Sequence, residues 1–250
     1  MQSAGPALLL PAIIGHRGAA AVAPANTLAG LRIAAAAGAH WVEIDVRLSA
    51  DGVPVLSHDD TLRKMARDDR AVSSLTAEEL GRIAVPGPFR GSFPGETVPT
   101  LAAALALGRE LRIGVNVEIK AGKSGNRTLV EKTLDAIADA RSSGGPTVLL
   151  SSFRHAVLAE ARRLAPDLPI GMLMGTPREG WRDRARELAA AVLICSARRA
   201  GPLDIKSLVA TGLPVACYTV NNPADARALF SQGVASVFTD DPAGMIAALK

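Results

Sequence analysis

The chain has 250 residues, of which 48% are hydrophobic and only 3% aromatic, so it is long enough to bury the core of one large α/β domain. Its formal net charge of +4 and its pI near 9.4 mildly favour anionic ligands, but the charges are scattered and no basic block is interleaved with aromatic residues. Composition and charge therefore argue against a nucleic-acid-binding protein.

The N-terminal segment MQSAGPALLLPAII has an apolar core but lacks the basic region and the small-residue cleavage site of a signal peptide. No apolar run reaches the ~20 residues that a helix needs to cross a bilayer. Cys195 and Cys217 fall in or beside predicted strands, where a reduced pair is the simpler interpretation, although a disulfide stays open. We expect a soluble, cytoplasmic protein without stable membrane insertion, and the sequence does not indicate its oligomeric state.

Apolar segments suited to buried strands alternate with helical segments along the chain. Eight strands are predicted, the number that closes a (β/α)8 TIM barrel, and the alternation implies parallel strands joined by crossover helices. The predicted strands are 12–14, 41–48, 114–119, 148–150, 170–174, 192–194, 215–219 and 236–239. The predicted helices are 27–37, 100–107, 127–141, 155–164, 182–190, 204–210, 224–232 and 243–249.

The least regular stretch lies at 60–99. A short helical candidate at 76–83 is followed by VPGPFRGSFPGETVP, whose prolines and glycines oppose regular structure. We interpret this stretch as an insertion between the second and third barrel strands, within a single domain that covers residues 1–250.

Two of the predicted strands carry acidic residues in alternation with apolar ones. In WVEIDVRL, Glu43 and Asp45 share one face of the strand, while the apolar residues share the face that packs against helices. GVNVEIK repeats the pattern and places Glu118 and Lys120 on the inward face. Because unpaired carboxylates are unfavourable inside a barrel, we expect the three acids to converge near its open end or at a cation.

The three carboxylates Glu43, Asp45 and Glu118 predict a site for a hard divalent cation, Mg²⁺ or Ca²⁺, which prefers oxygen ligands. The sequence shows no His-rich or Cys-rich spacing of the kind that binds zinc. The alternative interpretation is an internal network of ion pairs without a metal. Its candidate cationic partners are Arg17, Arg47 and Lys120.

His16 and His58 follow predicted strands, on the barrel face where active sites form. Imidazole has an unperturbed pKa of ~6.5, so we predict that these two residues act as general acid and base. Arg17 is suited to bind a phosphoryl oxygen bidentately, and Lys120 adds a point charge. The alternative is that either cation neutralises the carboxylates, so both assignments stay open at this point.

Several other polar residues are weaker candidates. His40 precedes the acidic strand and is expected at the opposite end of the barrel, whereas His155 begins a helix and is placed to reach the open end. Tyr218 is a candidate for packing beside a bound substrate, although a single aromatic residue at a strand end is more often part of the core. Asp240 and Asp241 are interpreted as caps of turns or helices.

Taken together, these motifs resemble the glycerophosphodiester phosphodiesterase family, whose pattern is HRG, PENT, a Glu-x-Asp strand, HD and a Glu-x-Lys strand. In this chain the corresponding residues are His16-Arg17-Gly18, Pro24-Ala25-Asn26-Thr27, Glu43-Ile44-Asp45, His58-Asp59 and Glu118-Ile119-Lys120. The later YTVN and FTDDP segments are similar to the closing motifs of the family, where tryptophan often takes the place of Tyr218. The resemblance covers nearly the whole chain, and the combination is far more specific than any one motif.

The resemblance implies a TIM barrel that hydrolyses glycerophosphodiesters, which are small molecules, to glycerol 3-phosphate and an alcohol. It implies a divalent metal ion held by Glu43, Asp45 and Glu118, with His16 and His58 as the acid-base pair. The substrate-binding residues that it implies are Arg17, Lys120 and Tyr218.

The chain departs from the family pattern at one position, where Ala25 stands in place of the glutamate of PENT. If that glutamate supports Arg17 or the metal, its loss weakens activity by ~10- to 100-fold without removing any proposed ligand. Two alternatives therefore stay open. One is a phospholipase D-like or phosphatidylinositol phospholipase C-like activity on lipids, and the other is a catalytically degenerate barrel that only binds phosphodiesters.

Overall fold

The structure is a computed structural model that describes residues 8–89, 92–122 and 127–250. Its described strands form one sheet, in which eight parallel strands close into a barrel and β3 pairs antiparallel with the outer part of β2. The strands are β1 (Ile13–Gly15), β2 (Trp41–Leu48), β3 (Pro54–Leu56), β4 (Gly114–Ile119), β5 (Val148–Ser152), β6 (Ile170–Met174), β7 (Val192–Ser196), β8 (Val215–Tyr218) and β9 (Ser236–Thr239). The predicted (β/α)8 barrel is confirmed, with β3 as an additional strand.

Helices follow the barrel strands and cover the outside of the sheet. They are α1 (Leu28–Ala36), α2 (Arg63–Ala66), α3 (Ala77–Leu80), α4 (Leu101–Leu111), α5 (Arg127–Ser142), α6 (His155–Leu164), α7 (Trp181–Glu187), α8 (Pro202–Val209), α9 (Pro223–Ser231) and α10 (Pro242–Leu249). The predicted helix 182–190 ends early because Ala189 has a left-handed backbone (φ 44°), and 100–107 continues until Arg112 does the same (φ 56°). None of the helices in the described ranges combines the length and the apolar character that crossing a membrane requires.

The alternation of side chains in β2 holds as expected. Val42, Ile44 and Val46 are fully buried and pack with apolar residues of the surrounding helices. Trp41 points the other way and packs inside the barrel with Leu149 and other apolar side chains. The barrel is thus filled by apolar residues at its lower end, which leaves the acidic residues of β2 and β4 near the upper end.

The segment between β2 and β4, the second and third barrel strands, carries β3, α2, a 3₁₀ turn at Val72–Ser74 and α3. It has an apolar cluster of its own, which includes Leu62, Leu75 and Leu80. The capping box of α3, in which Thr76 and Glu79 bond each other's backbone, begins the helix where the sequence predicted one. This segment covers one side of the upper end of the barrel and supplies His58 to the site described below.

Gly114 offers a test of packing at the lower end of the barrel. It pairs with Trp41 across β2 and β4, and a Cβ atom at Gly114 would lie 2.2 Å from Cε2 of the Trp41 ring. We expect Gly114→Ala to lower the free energy of unfolding by ~1–3 kcal/mol, because the buried ring has to move. Urea denaturation measures this change. Gly122→Ala, where no atom lies within 4 Å, is the matched control, and equal stability of the two variants would contradict the packing described here.

Candidate active site

Polar side chains from four neighbouring segments meet at the carboxyl ends of the barrel strands. His16 follows β1, Glu43 lies in β2, His58 follows β3 and Glu118 lies near the end of β4. They line a cavity of about 240 Å³, whose other polar or aromatic lining residues include Arg17, Asn116, Lys120, Phe153 and Tyr218. This is the end of a (β/α)8 barrel at which active sites form.

The register between β2 and β4 brings the three carboxylates together. Asp45 pairs directly with Glu118, and Glu43 pairs with Asn116. One oxygen from each of Glu43, Asp45 and Glu118 lies within 4.8 Å of the other two, and all three residues are buried. The convergence expected from the sequence is therefore present in the structure.

Arg17 lies against the acidic cluster because the HRG turn bends sharply. Arg17 has a left-handed backbone (φ 52°), and Gly18 follows with φ 87°. A Cβ atom at Gly18 would lie 2.6 Å from the backbone of Gly30, so only glycine fits there. The turn lets the Arg17 backbone N–H donate to Glu43 (3.0 Å) and brings its side-chain Nε to 3.2 Å from Asp45.

Lys120 is the second cation of the cluster. Its Nζ lies 3.1 Å from Asp45 Oδ1 and 2.7 Å from Glu118 Oε1. Arg47 does not join, because it donates to the backbone carbonyl oxygen of His58 (3.1 and 2.8 Å) and pairs with Asp60. Part of the alternative ion-pair network therefore exists, but Arg47 holds the His58 turn instead of neutralising the acids.

The three acids differ in their affinity for protons. Burial raises the pKa of Glu43 well above its usual range, and the charges of Asp45 and Glu118 raise it further. Burial and Asp45 also raise the pKa of Glu118, to about 7, against the opposing effect of Lys120. Burial would raise the pKa of Asp45 as well, but Lys120 and Arg17 lower it to about 2. Asp45 is therefore charged at neutral pH. Glu43 and Glu118 bind protons more readily than ordinary carboxylates, mainly because burial disfavours their charged forms and also because the neighbouring carboxylates repel.

The donor set of this cluster fits a divalent cation. Glu43 Oε1 is buried and accepts no hydrogen bond from any residue in the described ranges. Such an oxygen is unfavourable unless a cation or a proton reaches it. Three carboxylate oxygens at close range are the ligands that Mg²⁺ and Ca²⁺ prefer, so Glu43, Asp45 and Glu118 can hold a hard metal ion.

His16 is held by a residue that sequence reasoning assigned to capping. Its Nδ1 lies 2.6 Å from Asp240 Oδ1, and Asn221 donates to the other oxygen of Asp240 (2.7 Å). The Nε2 of His16 lies 3.8 Å from Glu43. The Asp240 contact follows from the pairing of β1 with β9, which sets Gly15 beside Thr239, so only closure of the barrel reveals it. Asp241, in contrast, caps α10 as expected.

His58 is oriented in a similar way by its neighbour in sequence. Its Nδ1 lies 2.8 Å from Asp59, whose other oxygen lies 2.9 Å from Lys64. Burial, aided by the positive charges of Arg17 and Lys120, lowers the pKa of His58 despite the nearby Asp45. At neutral pH the imidazole of His58 is therefore mostly uncharged.

Two asparagines belong to the site although sequence analysis did not select them. Asn26 of the PANT motif donates to Asp45 Oδ2 (2.8 Å) and accepts from the Asp45 backbone N–H (3.0 Å). Asn116 lines the cavity, and its buried side-chain oxygen accepts no hydrogen bond from the described residues. The signal for Asn26 was its place in a family motif, and the signal for Asn116 was its inward position in β4.

The remaining candidates lie at different distances from the cluster. Tyr218 lines the cavity, donates to the carbonyl oxygen of Met174 (3.0 Å) and meets the Phe153 ring edge-on. His40 is exposed just before β2, at the opposite end of the barrel. His155 lies outside this cavity, with its Nε2 3.3 Å from Glu187.

The fold and the site define a (β/α)8 barrel with a buried acidic cluster between two histidines. Residues 16–244 match the model of the glycerophosphoryl diester phosphodiesterase family. A glycerophosphodiester phosphodiesterase of Caldanaerobacter subterraneus is 31% identical over 235 residues, which cover 94% of this chain and 96% of that protein. The chain belongs to the glycerophosphoryl diester phosphodiesterase family and is an enzyme of that family.

Solved structures support the same assignment. A phosphodiesterase of Oleispira antarctica, in complex with the product sn-glycerol-3-phosphate, has a TM-score of 0.89 and 30% identity, with 96% of this chain and 97% of that chain covered. A glycerophosphodiester phosphodiesterase of Agrobacterium tumefaciens has a TM-score of 0.74 and 26% identity, with 95% and 100% covered. The family and the barrel expected from the motifs are thus confirmed.

The raised pKa of Glu118 predicts that cation binding depends on pH. Below its pKa of about 7 this carboxyl group holds a proton, which a bound metal ion has to displace. We expect affinity for Mg²⁺ or Ca²⁺ to weaken by about tenfold per pH unit below 7 on account of Glu118, and further through Glu43, whose pKa burial also raises. Titration calorimetry at pH 6 and pH 8, in buffers with different ionisation enthalpies, counts the protons released. Absence of proton release at pH 6 would contradict the expectation.

Proposed function

We propose that this protein hydrolyses glycerophosphodiesters to glycerol 3-phosphate and an alcohol, with a divalent metal ion and two histidines taking part. The observation that carries the proposal is the buried cluster of Glu43, Asp45 and Glu118, two of which, Glu43 and Glu118, line one cavity together with His16 and His58. Membership of the family supports it, as does the product complex of the Oleispira protein.

The cavity offers complementary groups to each part of a glycerol phosphate. Arg17 and Lys120 carry positive charge for the phosphoryl oxygens. The free acceptor of Asn116 is suited to a glycerol hydroxyl group, since a buried acceptor gains from a donor. Phe153 and Tyr218 form an aromatic side of the cavity against which the carbon chain packs. Its volume of about 240 Å³ suits a small molecule rather than a lipid chain.

Glu43, Asp45 and Glu118 would hold the metal ion, either Mg²⁺ or Ca²⁺. When bound, such an ion supplies positive charge that polarises a phosphoryl oxygen and lowers the pKa of a hydroxyl group. Asn26 positions Asp45 through two hydrogen bonds and thereby supports the metal ligand.

The two histidines are suited to move protons. The lowered pKa of His58 favours the neutral imidazole, whose Nε2 is then able to accept a proton while Asp59 binds Nδ1. His16 is held through Nδ1 by Asp240, which leaves Nε2 directed toward the acidic cluster. In this proposal each aspartate positions a histidine.

The alternatives have less support. A lipid-directed phospholipase needs an apolar rim for the membrane surface. Of the large apolar residues that are exposed in the described ranges, Phe153 alone lines this cavity. A degenerate, binding-only barrel is disfavoured because every residue proposed for catalysis and metal binding is present. The cytoplasmic location remains part of the proposal, supported by the buried thiols of Cys195 and Cys217, whose sulfurs lie 3.6 Å apart without forming a disulfide.

The direct test measures release of glycerol 3-phosphate from glycerophosphocholine with and without EDTA. We expect EDTA to abolish product release, and His16→Ala and His58→Ala each to lower kcat by ~10²- to 10⁴-fold, the usual contribution of acid-base catalysis. His40→Ala, at the exposed opposite end of the barrel, is the matched control and should retain wild-type activity. The proposed roles of the metal ion and the histidines are wrong if product forms at the same rate with EDTA and in both variants, and the proposed hydrolysis is wrong if no product forms with Mg²⁺ or Ca²⁺. Co-sedimentation with liposomes would instead favour the lipid-directed alternative.

Ala25 provides a second test of the site. It is half-buried in a small cavity of about 100 Å³, which Arg17, His58 and Lys64 also line. We expect Ala25→Glu to raise kcat/KM by up to ~10-fold, because a carboxylate there pairs with Arg17 and supports its position. Ala25→Gln, of similar shape but without charge, is the control. An unchanged or reduced kcat/KM of Ala25→Glu, measured with glycerophosphocholine, would contradict this expectation.

A further inference from the structure

A second cavity, about 380 Å³ in volume, adjoins the candidate active site at the carboxyl ends of β5, β6 and β7. Phe153 and Leu173 line both cavities. Tyr218, in the wall of the first cavity, donates to the carbonyl oxygen of Met174, which lines the second. The two cavities therefore share one wall, in which the Phe153 side chain is still 47% exposed. A group leaving the first cavity on this side enters the second.

The second cavity carries positive charge that no ion pair among the described residues offsets. Arg178, Arg184 and Arg199 line it, and none of the three takes part in an ion pair with a residue of the described ranges. The Arg184 side chain donates to the backbone carbonyl oxygen of Glu179 (3.1 Å). Glu187 lies 3.3 Å from His155, which also lines the cavity. An arginine cluster of this kind suits an oxyanion, because guanidinium binds phosphate and carboxylate through paired hydrogen bonds.

The floor of the same cavity is apolar. Leu158, Met172 and Trp181 line it, and all three are buried. An apolar floor excludes water from part of a bound molecule, which strengthens the interaction of its charged end with the arginines. The cavity thus has one surface for a carbon skeleton and one for an anionic end.

We propose that the second cavity binds the alcohol part of the substrate and selects alcohols that carry an oxyanion, either a phosphate or a carboxylate group. This inference rests on the proposed function, in which the glycerol phosphate end occupies the cavity of the acidic cluster. The diester bond then lies at the shared wall, and the leaving alcohol extends past Phe153 toward Arg178 and Arg199. A cationic alcohol such as choline gains nothing from these charges and is disfavoured by them.

The experiment compares three substrates at matched concentrations: glycerophosphoglycerol, its terminal phosphate monoester and glycerophosphocholine. The first two differ by one phosphate group, so their ratio of kcat/KM isolates recognition of the anion. We expect the monoester to have a kcat/KM about tenfold above that of glycerophosphoglycerol, mostly through KM, and glycerophosphocholine to be the poorest of the three. The advantage of the monoester should shrink at high salt, because the arginines are partly exposed.

Arg178→Gln and Arg199→Gln are expected to reduce the monoester-to-glycerophosphoglycerol ratio severalfold each, and the double variant should bring it close to one. Arg198→Gln is the matched control, since it removes the same charge from an exposed residue next to Arg199 that does not line the cavity. Thermal unfolding of each variant shows whether it is folded. Serine or glycolate diesters, which carry a carboxylate in place of the phosphate, show which oxyanion is preferred.

The outcomes separate the two proposals. Equal kcat/KM for all three substrates, or a ratio that Arg178→Gln and Arg199→Gln leave unchanged, overturns the anion selectivity while the phosphodiesterase function stands. Hydrolysis of none of the substrates with Mg²⁺ or Ca²⁺ present overturns the proposed function and this inference with it. A ratio that falls equally in Arg198→Gln also overturns the inference, because the effect then arises from net charge and not from the cavity.

Discussion

The site depends on one physical constraint, the burial of three carboxylates on two adjacent strands. Asp45 and Glu118 are direct neighbours across β2 and β4, and buried charges at that distance repel strongly. Arg17 and Lys120 reduce this repulsion, but their side chains contact Asp45 and Glu118. One oxygen of Glu43 accepts no hydrogen bond from the described residues. The cluster is therefore suited to bind further positive charge, either a proton at low pH or a divalent cation at neutral pH.

The same constraint requires that the turns around the cluster keep fixed positions. The HRG turn carries His16 and Arg17, and the turn after β3 carries His58. Each turn is held by hydrogen bonds to a neighbouring strand. The HRG turn needs glycine at position 18, and the His58 turn is held by Arg47. Arg47, which sequence analysis considered as a partner of the acids, therefore supports the turn that carries His58. Groups of this kind do not take part in chemistry, yet the position of both histidines depends on them.

The division of the upper face into two cavities follows from the order of the strands. The acids and histidines of the first cavity come from β2 and β4 and from the turns after β1 and β3, while the arginine-lined cavity lies over β5 to β7. Phe153 and Leu173 line both cavities. A phosphodiester has two different ends, and two cavities that differ in charge are suited to bind one end each. The family match supports a phosphodiester site in the first cavity, whereas the arginines of the second cavity are the basis of the proposed preference for anionic alcohols.

The sequence by itself determined the barrel, the inward position of the acids in β2 and β4, and the two histidine turns. These depend on strand periodicity and on short motifs, which are local properties that alternation and residue chemistry reveal. Only the tertiary structure decided the contacts between residues far apart in the chain. Asp240 meets His16 because β9 closes against β1. The arginines of α7, of the loop before it and of the loop after β7 line a cavity beside Phe153. Such contacts depend on how strands distant in sequence pair when the barrel closes, and a local sequence pattern does not encode that pairing.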